Sequence, residues 1–381
     1  MKLHRLVVTC GGTGGHFYPG LSTARVFQEE FGGEVLLLLS GVNSARQKEI
    51  ACAAGIRAVE LPLMPSPGHS PARALRFLRG LAGGYRAARQ ELAAFQPQAL
   101  LGMGSFASLP AFLAAKKQHI PCFLHDGNAR IGKANRWLSR GAELLATAFP
   151  PVNAAACRCR VITTGMPVRP ELAKYAGISR AEAIAGLNRE FGSSFDPALP
   201  VILIFGGSQG ARIFNVTCPA ALKAQNRADF QVLHLAGPAR LEEALGAYEG
   251  AAFPRLVLPG SEKMELFLGA ADLVLSRSGG STVAELALFG RGAVLIPYPY
   301  AAENHQSDNA DFLASAGAAL RIDNAQFTPE RAQELFAGFL ADPVAWAERG
   351  RRAAALARPH AARELIEEIS AGTASRDCIP G

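Results

Sequence analysis

The sequence predicts an α/β protein made of two doubly wound parallel-sheet domains. Three observations lead there. The chain of 381 residues is too long for one ordinary core. Short apolar runs alternate with longer helical patterns almost throughout. A strand, a glycine turn and a helix start also occur twice, as LVVTCGGTGGH at 6–16 and VILIFGGSQGAR at 201–212.

The first set of runs lies at 6–10, 35–39, 99–101, 122–124 and 144–147. The second lies at 201–205, 232–236, 256–258, 273–275 and 293–296. Most are apolar at consecutive positions, as strands covered on both faces should be. They predict a first domain over 1–165 and a second over 166–355, with the boundary in TTGMPVRP at 163–170. Residues 175–200 read as a connector or a short peripheral helix. A closing helix over 356–371 is open to packing on either domain, including back on the first.

Composition narrows the function classes. With 49% hydrophobic and 19% charged residues the chain reads as soluble and globular. No apolar run approaches the roughly 20 residues that span a bilayer, and the N-terminal run is too short for a signal peptide. Seven scattered cysteines argue for a reducing compartment. A formal net charge of +7 suits an anionic partner. Nucleic acid is not expected, because the basic residues do not alternate with aromatic ones and no binding module appears.

Neither glycine loop is a P-loop, and the first has Phe17 where a dinucleotide fingerprint needs glycine. The second run ends in Ser40 and Gly41 and offers no acidic residue for a ribose, so no nicotinamide or flavin cofactor is expected. What remains is a glycine turn at the carboxyl end of a strand, exposing N–H groups at a helix N-terminus, where anions are favoured. Ser208 adds a hydroxyl donor. The alternative is that the glycines only permit tight turns; two matching loops favour phosphate.

A third candidate is SRSGGSTVAELALFG, 276–290, where Gly280, Ser281 and Thr282 open a helix. Thr282 and Glu285 share a face, and the carboxylate there can accept two hydrogen bonds from a ribose diol. The alternative is a capping box with Thr282 as N-cap. In PYPYAAENHQSDN, 297–309, the side chains of Glu303, Asn304, His305 and Gln306 suit sugar hydroxyls, or merely cap a helix. Residues 72–95 place Arg73, Arg76, Arg79, Arg86 and Arg89 among Leu75, Phe77, Leu78, Leu81 and Tyr85, with a break expected at Gly83 and Gly84. That is either a domain helix with a solvated arginine face or a surface for anionic lipid headgroups.

Together GGTGGH, GGSQGAR, SRSGGSTVAE and ENHQSDNA, with GMGSFAS at 102–108, LHDGN at 124–128 and GMPVR at 165–169, resemble the MurG family of glycosyltransferases. The likeness runs from about residue 5 to residue 320. It implies a GT-B fold: two Rossmann-like domains facing across a cleft, the first for a lipid acceptor and the second for UDP-GlcNAc. The implied reaction is an inverting transfer of N-acetylglucosamine to the muramyl 4-hydroxyl of lipid I, undecaprenyl-pyrophosphoryl-MurNAc-pentapeptide, giving lipid II. No bound metal is implied, in keeping with the lack of an Asp-x-Asp motif. The implied place is peripheral, on the cytoplasmic face of the plasma membrane, with 72–95 toward its anionic surface.

The resemblance also assigns residues. His16 matches the proposed general base, with a role in holding the acceptor pyrophosphate as the alternative. Thr13, Gly14 and Gly15 match the loop that reaches the donor from the acceptor side, and Gly102, Gly104 and Ser105 the acceptor loop. Asn128 matches an asparagine that touches GlcNAc, and Arg169 an arginine paired with donor phosphate. Ser208 matches the phosphate serine and Glu285 the ribose carboxylate, with Gly280, Ser281 and Thr282 beside it. His305 and Gln306 match the pair that orients the sugar, although His305 stands where some members have glutamine. Three further departures are Asp126 and Gly127 for Glu-Gln before Asn128, Ser105 for a glycine, and Met166 for an asparagine. The alternative is another GT-B enzyme acting on a lipid such as diacylglycerol.

Overall fold

The apolar runs pair as the strands of two all-parallel sheets. The computed structural model describes residues 3–63 and 71–377. In the first unit β1 (Arg5–Cys10), β2 (Glu34–Leu39), β3 (Arg57–Glu60), β4 (Ala99–Gly102), β5 (Cys122–Asp126), β6 (Leu144–Thr147) and β7 (Arg160–Thr163) lie in the order β3-β2-β1-β4-β5-β6-β7. In the second, β8 (Val201–Phe205), β9 (Gln231–Leu235), β10 (Arg255–Leu258), β11 (Leu273–Ser276), β12 (Ala293–Leu295) and β13 (Ala319–Arg321) lie in the order β10-β9-β8-β11-β12-β13. The edge strands β3, β7 and β13 were not among the expected runs.

Helices cover both faces of each sheet, which is why the strands do not alternate. In β1, Leu6, Val8 and Cys10 enter one core with Phe17 and Phe27 of the helix Gly14–Phe31. Val7 enters the opposite core with Ala88 and Leu92 of the helix Pro71–Phe95. That helix runs unbroken through Gly83 and Gly84, contrary to the break expected there. Gly84 serves packing instead: a Cβ there would stand 3.0 Å from Pro110, whereas one on Gly83 would meet Pro62 at an ordinary 3.7 Å.

One unit takes the chain up to Pro170 and again from Arg358; the other takes Glu171–Ala357. Residues 166–170 therefore fall with the first unit rather than the second. Met166 packs on Gly127, and Arg358 and Ala361 pack on Gly165. The helix Ala361–Asp377 buries Leu365, Ile366 and Ile369 in the first unit's core. Arg363 pairs with Glu30, and Glu368 with Arg160. The stretch 175–200 contains the helix Arg180–Phe191, opened by a reciprocal capping box between Ser179 and Glu182. Its Gly186 lies against Leu266 in the second unit. Among the described residues no helix is long and apolar enough to cross a membrane.

Candidate active site

In a doubly wound sheet the strand order reverses once. The loops leaving the two central strands diverge there and open a crevice at their carboxyl ends. The first unit reverses between β1 and β4, the second between β8 and β11.

At the first reversal Thr13 is the N-cap of the helix Gly14–Phe31, yet its side chain caps no backbone N–H. Its Oγ1 lies instead 3.0 Å from Nδ1 of His16, one turn inside. The loop after β4 passes close by. Gly104 has φ +85°, and a Cβ there would stand 3.2 Å from Cδ2 of His16. The next residue, Ser105, adopts φ 63°, ψ 165°, a conformation almost reserved for glycine. Its Oγ accepts a hydrogen bond from the N–H of Ala107 at 3.1 Å.

The loop after β5 closes the same place. Asp126, only 5% exposed, accepts from the N–H of Gly132 at 2.8 Å, Nδ2 of Asn135 at 3.0 Å and the N–H of Asn128 at 3.1 Å. Asp126 thus organises the turn that carries Asn128. Nδ2 of Asn135 also donates to the carbonyl of His125. Nε2 of His125 donates to the carbonyl of Gly165 at 2.9 Å, and burial holds this imidazole below its ordinary range. A Cβ on Gly127 would lie 3.8 Å from the carbonyl of Gly15. The guanidinium of Arg169 stacks 5.3 Å from the ring centroid of Tyr18, on the helix that carries His16. Gly102 is different: it ends β4, buried between Leu124 and Ser108, and is a packing glycine rather than part of the loop.

At the second reversal the turn 206–210 feeds the helix Arg212–Lys223. Gly207 and Ser208 are exposed at its apex. Gly210, with φ +68°, lies so close to Ala236 that a Cβ would stand 1.9 Å from its carbonyl oxygen. Next in the sheet, β11 feeds the helix Gly280–Leu288, whose N-cap is Gly279. Thr282 is therefore inside the helix and not its cap, which corrects the capping-box alternative. Beyond it β12 leads through Ala302–Asn304 to the helix His305–Ala314. Three helix N-termini thus follow the neighbouring strands β8, β11 and β12.

Hydrogen bonds tie these starts together. Oγ of Ser278 donates to the carbonyl of Gln306 at 2.7 Å, and Nδ2 of Asn309 donates to the carbonyl of Ser278 at 3.0 Å. Gln306 accepts from the N–H of Tyr298 at 2.9 Å, which commits its carbonyl end to the loop. Nδ1 of His305 donates to the carbonyl of Ala302, which fixes the ring at the helix start.

Sequence reasoning passed over Arg277, the one cation in SRSGGS. Its guanidinium lies between Phe214 and Tyr298, 4.9 and 5.6 Å from their centroids. It donates to the carbonyls of Ile296 and Pro297 and to Oδ1 of Asn324, and burial pushes its pKa down to about 10. Asp126, noticed only as a departure, was likewise missed as the organiser of its turn. Among the described residues no three His, Cys, Asp or Glu side chains gather as a metal site.

Comparison with known proteins finds two domain families in succession along the chain. The glycosyltransferase family 28 N-terminal domain matches residues 6–147, and the family's C-terminal domain matches residues 201–365. The chain is 36% identical to a protein of Halorhodospira halophila, covering 98% of this chain and 100% of that one. It is 32% identical to one of Pelobacter propionicus, covering 96% and 98%. Both are named UDP-N-acetylglucosamine--N-acetylmuramyl-(pentapeptide) pyrophosphoryl-undecaprenol N-acetylglucosamine transferase. Among solved structures, MurG of Acinetobacter baumannii superposes with a TM-score of 0.75 at 29% identity, over 96% of this chain and 99% of that one. A UDP-GlcNAc 2-epimerase of Neisseria meningitidis, 13% identical, shares the fold with a TM-score of 0.69 over 98% of this chain and 100% of its own.

Proposed function

The chain belongs to glycosyltransferase family 28, and from that membership we infer that it transfers N-acetylglucosamine from UDP-GlcNAc to lipid I, giving lipid II. One observation of geometry carries the chemical step. His16 is fixed through Nδ1 by Thr13 at the reversal point of the first sheet. In the tautomer whose Nδ1–H donates to the threonine hydroxyl, Nε2 holds the lone pair of a base. The muramyl 4-hydroxyl oxygen attacks the anomeric carbon from the face opposite UDP. Its proton passes to Nε2 of His16, and the electron pair of the broken C–O bond leaves on the β-phosphate. A single displacement of this kind inverts the anomeric centre.

The leaving diphosphate gains negative charge, which the N–H groups of the 206–210 turn and the following helix N-terminus are suited to stabilise. In this reading Ser208 and Arg169 meet the phosphates, and Glu285 accepts from the ribose. Asn128, His305 and Gln306 meet the hydroxyls of the transferred sugar. Gly280, Ser281 and Thr282 present the helix start beside the nucleotide.

Purified protein incubated with radiolabelled UDP-GlcNAc and a short-chain lipid I analogue, in the presence of EDTA, is expected to form labelled product. His16→Ala is expected to lower kcat by roughly 100-fold or more. Transfer preserved in that variant would reduce His16 to positioning the acceptor. Transfer to diacylglycerol but not to the lipid I analogue would overturn the acceptor.

The lipid acceptor also gives the basic helix a role. Leu75 and Leu78 stand 49% and 58% exposed, flanked by exposed Arg73, Arg76 and Arg79. Farther along, Ala88 and Leu92 pack into the core. Leucines in water beside guanidinium groups suit an anionic membrane surface, which supports a peripheral position on the cytoplasmic leaflet. Leu75→Glu with Leu78→Glu is expected to weaken co-sedimentation with phosphatidylglycerol vesicles by about tenfold or more. Undiminished sedimentation would refute this surface.

A further inference from the structure

We infer that Asn215, His234 and Tyr248 form a positioning network that holds the 206–210 turn in the shape that binds the pyrophosphate of the sugar nucleotide. The inference rests on reading that turn as the phosphate loop. None of the three residues touches the turn's exposed apex, and all three are fully buried. They sit in a core otherwise built from Phe214, Cys218, Phe230 and Phe253. Polar groups in such a place destabilise the fold unless they are paired, and these are paired in a single direction.

That direction follows from chemistry. Asn215 lies 2.9 Å from the carbonyl oxygen of Ala236, which can only accept, so the amide NH2 points there. Its Oδ1 then faces Nε2 of His234 at 3.0 Å, and Nε2 must carry the proton. Nδ1 of the neutral ring is left as an acceptor 3.0 Å from the Tyr248 oxygen, which donates. Burial pushes the His234 pKa down to about 3, so the ring stays neutral and the chain of donors keeps its sense. Tyr248 donates to His234, His234 to Asn215, and Asn215 to the backbone of Ala236.

The far end of this chain is the segment on which the glycine turn rests. A Cβ on Gly210 would collide with Ala236, and one on Gly237 would stand 2.4 Å from the carbonyl oxygen of Gln209. The two backbones are stacked with no side chain between them. Asn215 itself belongs to the first turn of the helix Arg212–Lys223, whose N-terminus the loop supplies. The network therefore joins the helix start to the floor beneath the loop. An apolar filler would occupy the volume without fixing either distance, whereas directed hydrogen bonds fix both.

The test is calorimetric binding of UDP and of uridine to the full-length protein, with Asn215→Ala, Tyr248→Phe and the loop variant Gly207→Ala. Asn215→Ala is expected to weaken UDP about tenfold and Tyr248→Phe about threefold, with uridine within twofold of wild type in both. A parallel kinetic series is expected to raise the KM for UDP-GlcNAc more than it lowers kcat. Asn215→Asp, which keeps the acceptor but not the donor, is expected to rescue little. Should Asn215→Ala not fold, Tyr248→Phe, which removes one hydroxyl only, decides. Equal loss of UDP and uridine would overturn the network in favour of general damage to the fold. Unchanged UDP affinity in the network variants, with Gly207→Ala impaired, would overturn the network and keep the phosphate loop. Unchanged UDP affinity in Gly207→Ala would overturn the loop reading and the inference with it.

Discussion

A threonine and a histidine three residues apart at a helix start would ordinarily be read as a cap and a solvent-facing side chain. Here the hydroxyl meets the imidazole at Nδ1, so Thr13 fixes the orientation of the ring and turns Nε2 away from the helix start. Thr13→Val keeps the shape and removes that bond, and kcat measured with saturating acceptor is expected to fall roughly tenfold. Ser105 carries backbone strain beside the same imidazole. Ser105→Ala loses the hydrogen bond from Ala107 and keeps the strain, whereas Ser105→Gly loses the bond and relieves it. Denaturant unfolding is expected to find Ser105→Gly about 1–2 kcal/mol more stable than Ser105→Ala. His234 sets a pH dependence. Its folded pKa, about 3, lies below the ordinary 6.5, so between these values the unfolded chain binds a proton that the folded one does not. Stability is then present above pH 6.5 and falls with acidification. The stability difference between wild type and His234→Gln is expected to change by about 1.4 kcal/mol per pH unit between pH 6 and 4. Candidate residues were legible in the sequence where a motif supplied its own context, as with His16 and Glu285. Arg277 was not, because its partners Ile296, Pro297 and Asn324 come from strand ends that only the sheet order brings together. Asp126 was not, because the turn that folds Asn128, Gly132 and Asn135 onto it follows no recognised spacing.

At the scale of elements, the central strands announced themselves. β1, β4, β8 and β11 are covered on both faces and read as unbroken apolar runs. Of the four edge strands, β10 (RLVL) keeps the apolar run that marked it, while the other three, β3 (RAVE), β7 (RVIT) and β13 (ALR), are short and mix charged with apolar residues. Such segments do not stand out from loops by periodicity. The helix Pro71–Phe95 misled for another reason. Gly83 and Gly84 signal a break by propensity, but Gly84 serves the close approach of Pro110. Their neighbours also separate them. A methyl on Gly83 meets Pro62 at ordinary contact distance, whereas one on Gly84 presses on Pro110. Gly83→Ala is expected to raise stability by about 0.5–1 kcal/mol, and Gly84→Ala to give none of that gain, as read by thermal unfolding.

For the whole molecule, two units were legible from the repeated glycine turn, but their true limits were not. The closing helix carries no mark of which sheet it covers; only the apolar face of Leu365, Ile366 and Ile369 in the first core decides it. Ile366→Ala is expected to cost that unit about 2–4 kcal/mol. The chain's two tryptophans, Trp137 and Trp346, fall one in each unit and allow the two to be followed by fluorescence. The transition reported by Trp346 is expected to move far less. Because the first unit takes up the chain again at Arg358, its core stays open on the ribosome until those residues have emerged. The second unit, one uninterrupted segment, has all its strands before then. The half that is made first is thus the half completed last, and a nascent chain halted near residue 357 would expose the apolar face of the helix Gly14–Phe31 to whatever chaperone stands at the tunnel mouth.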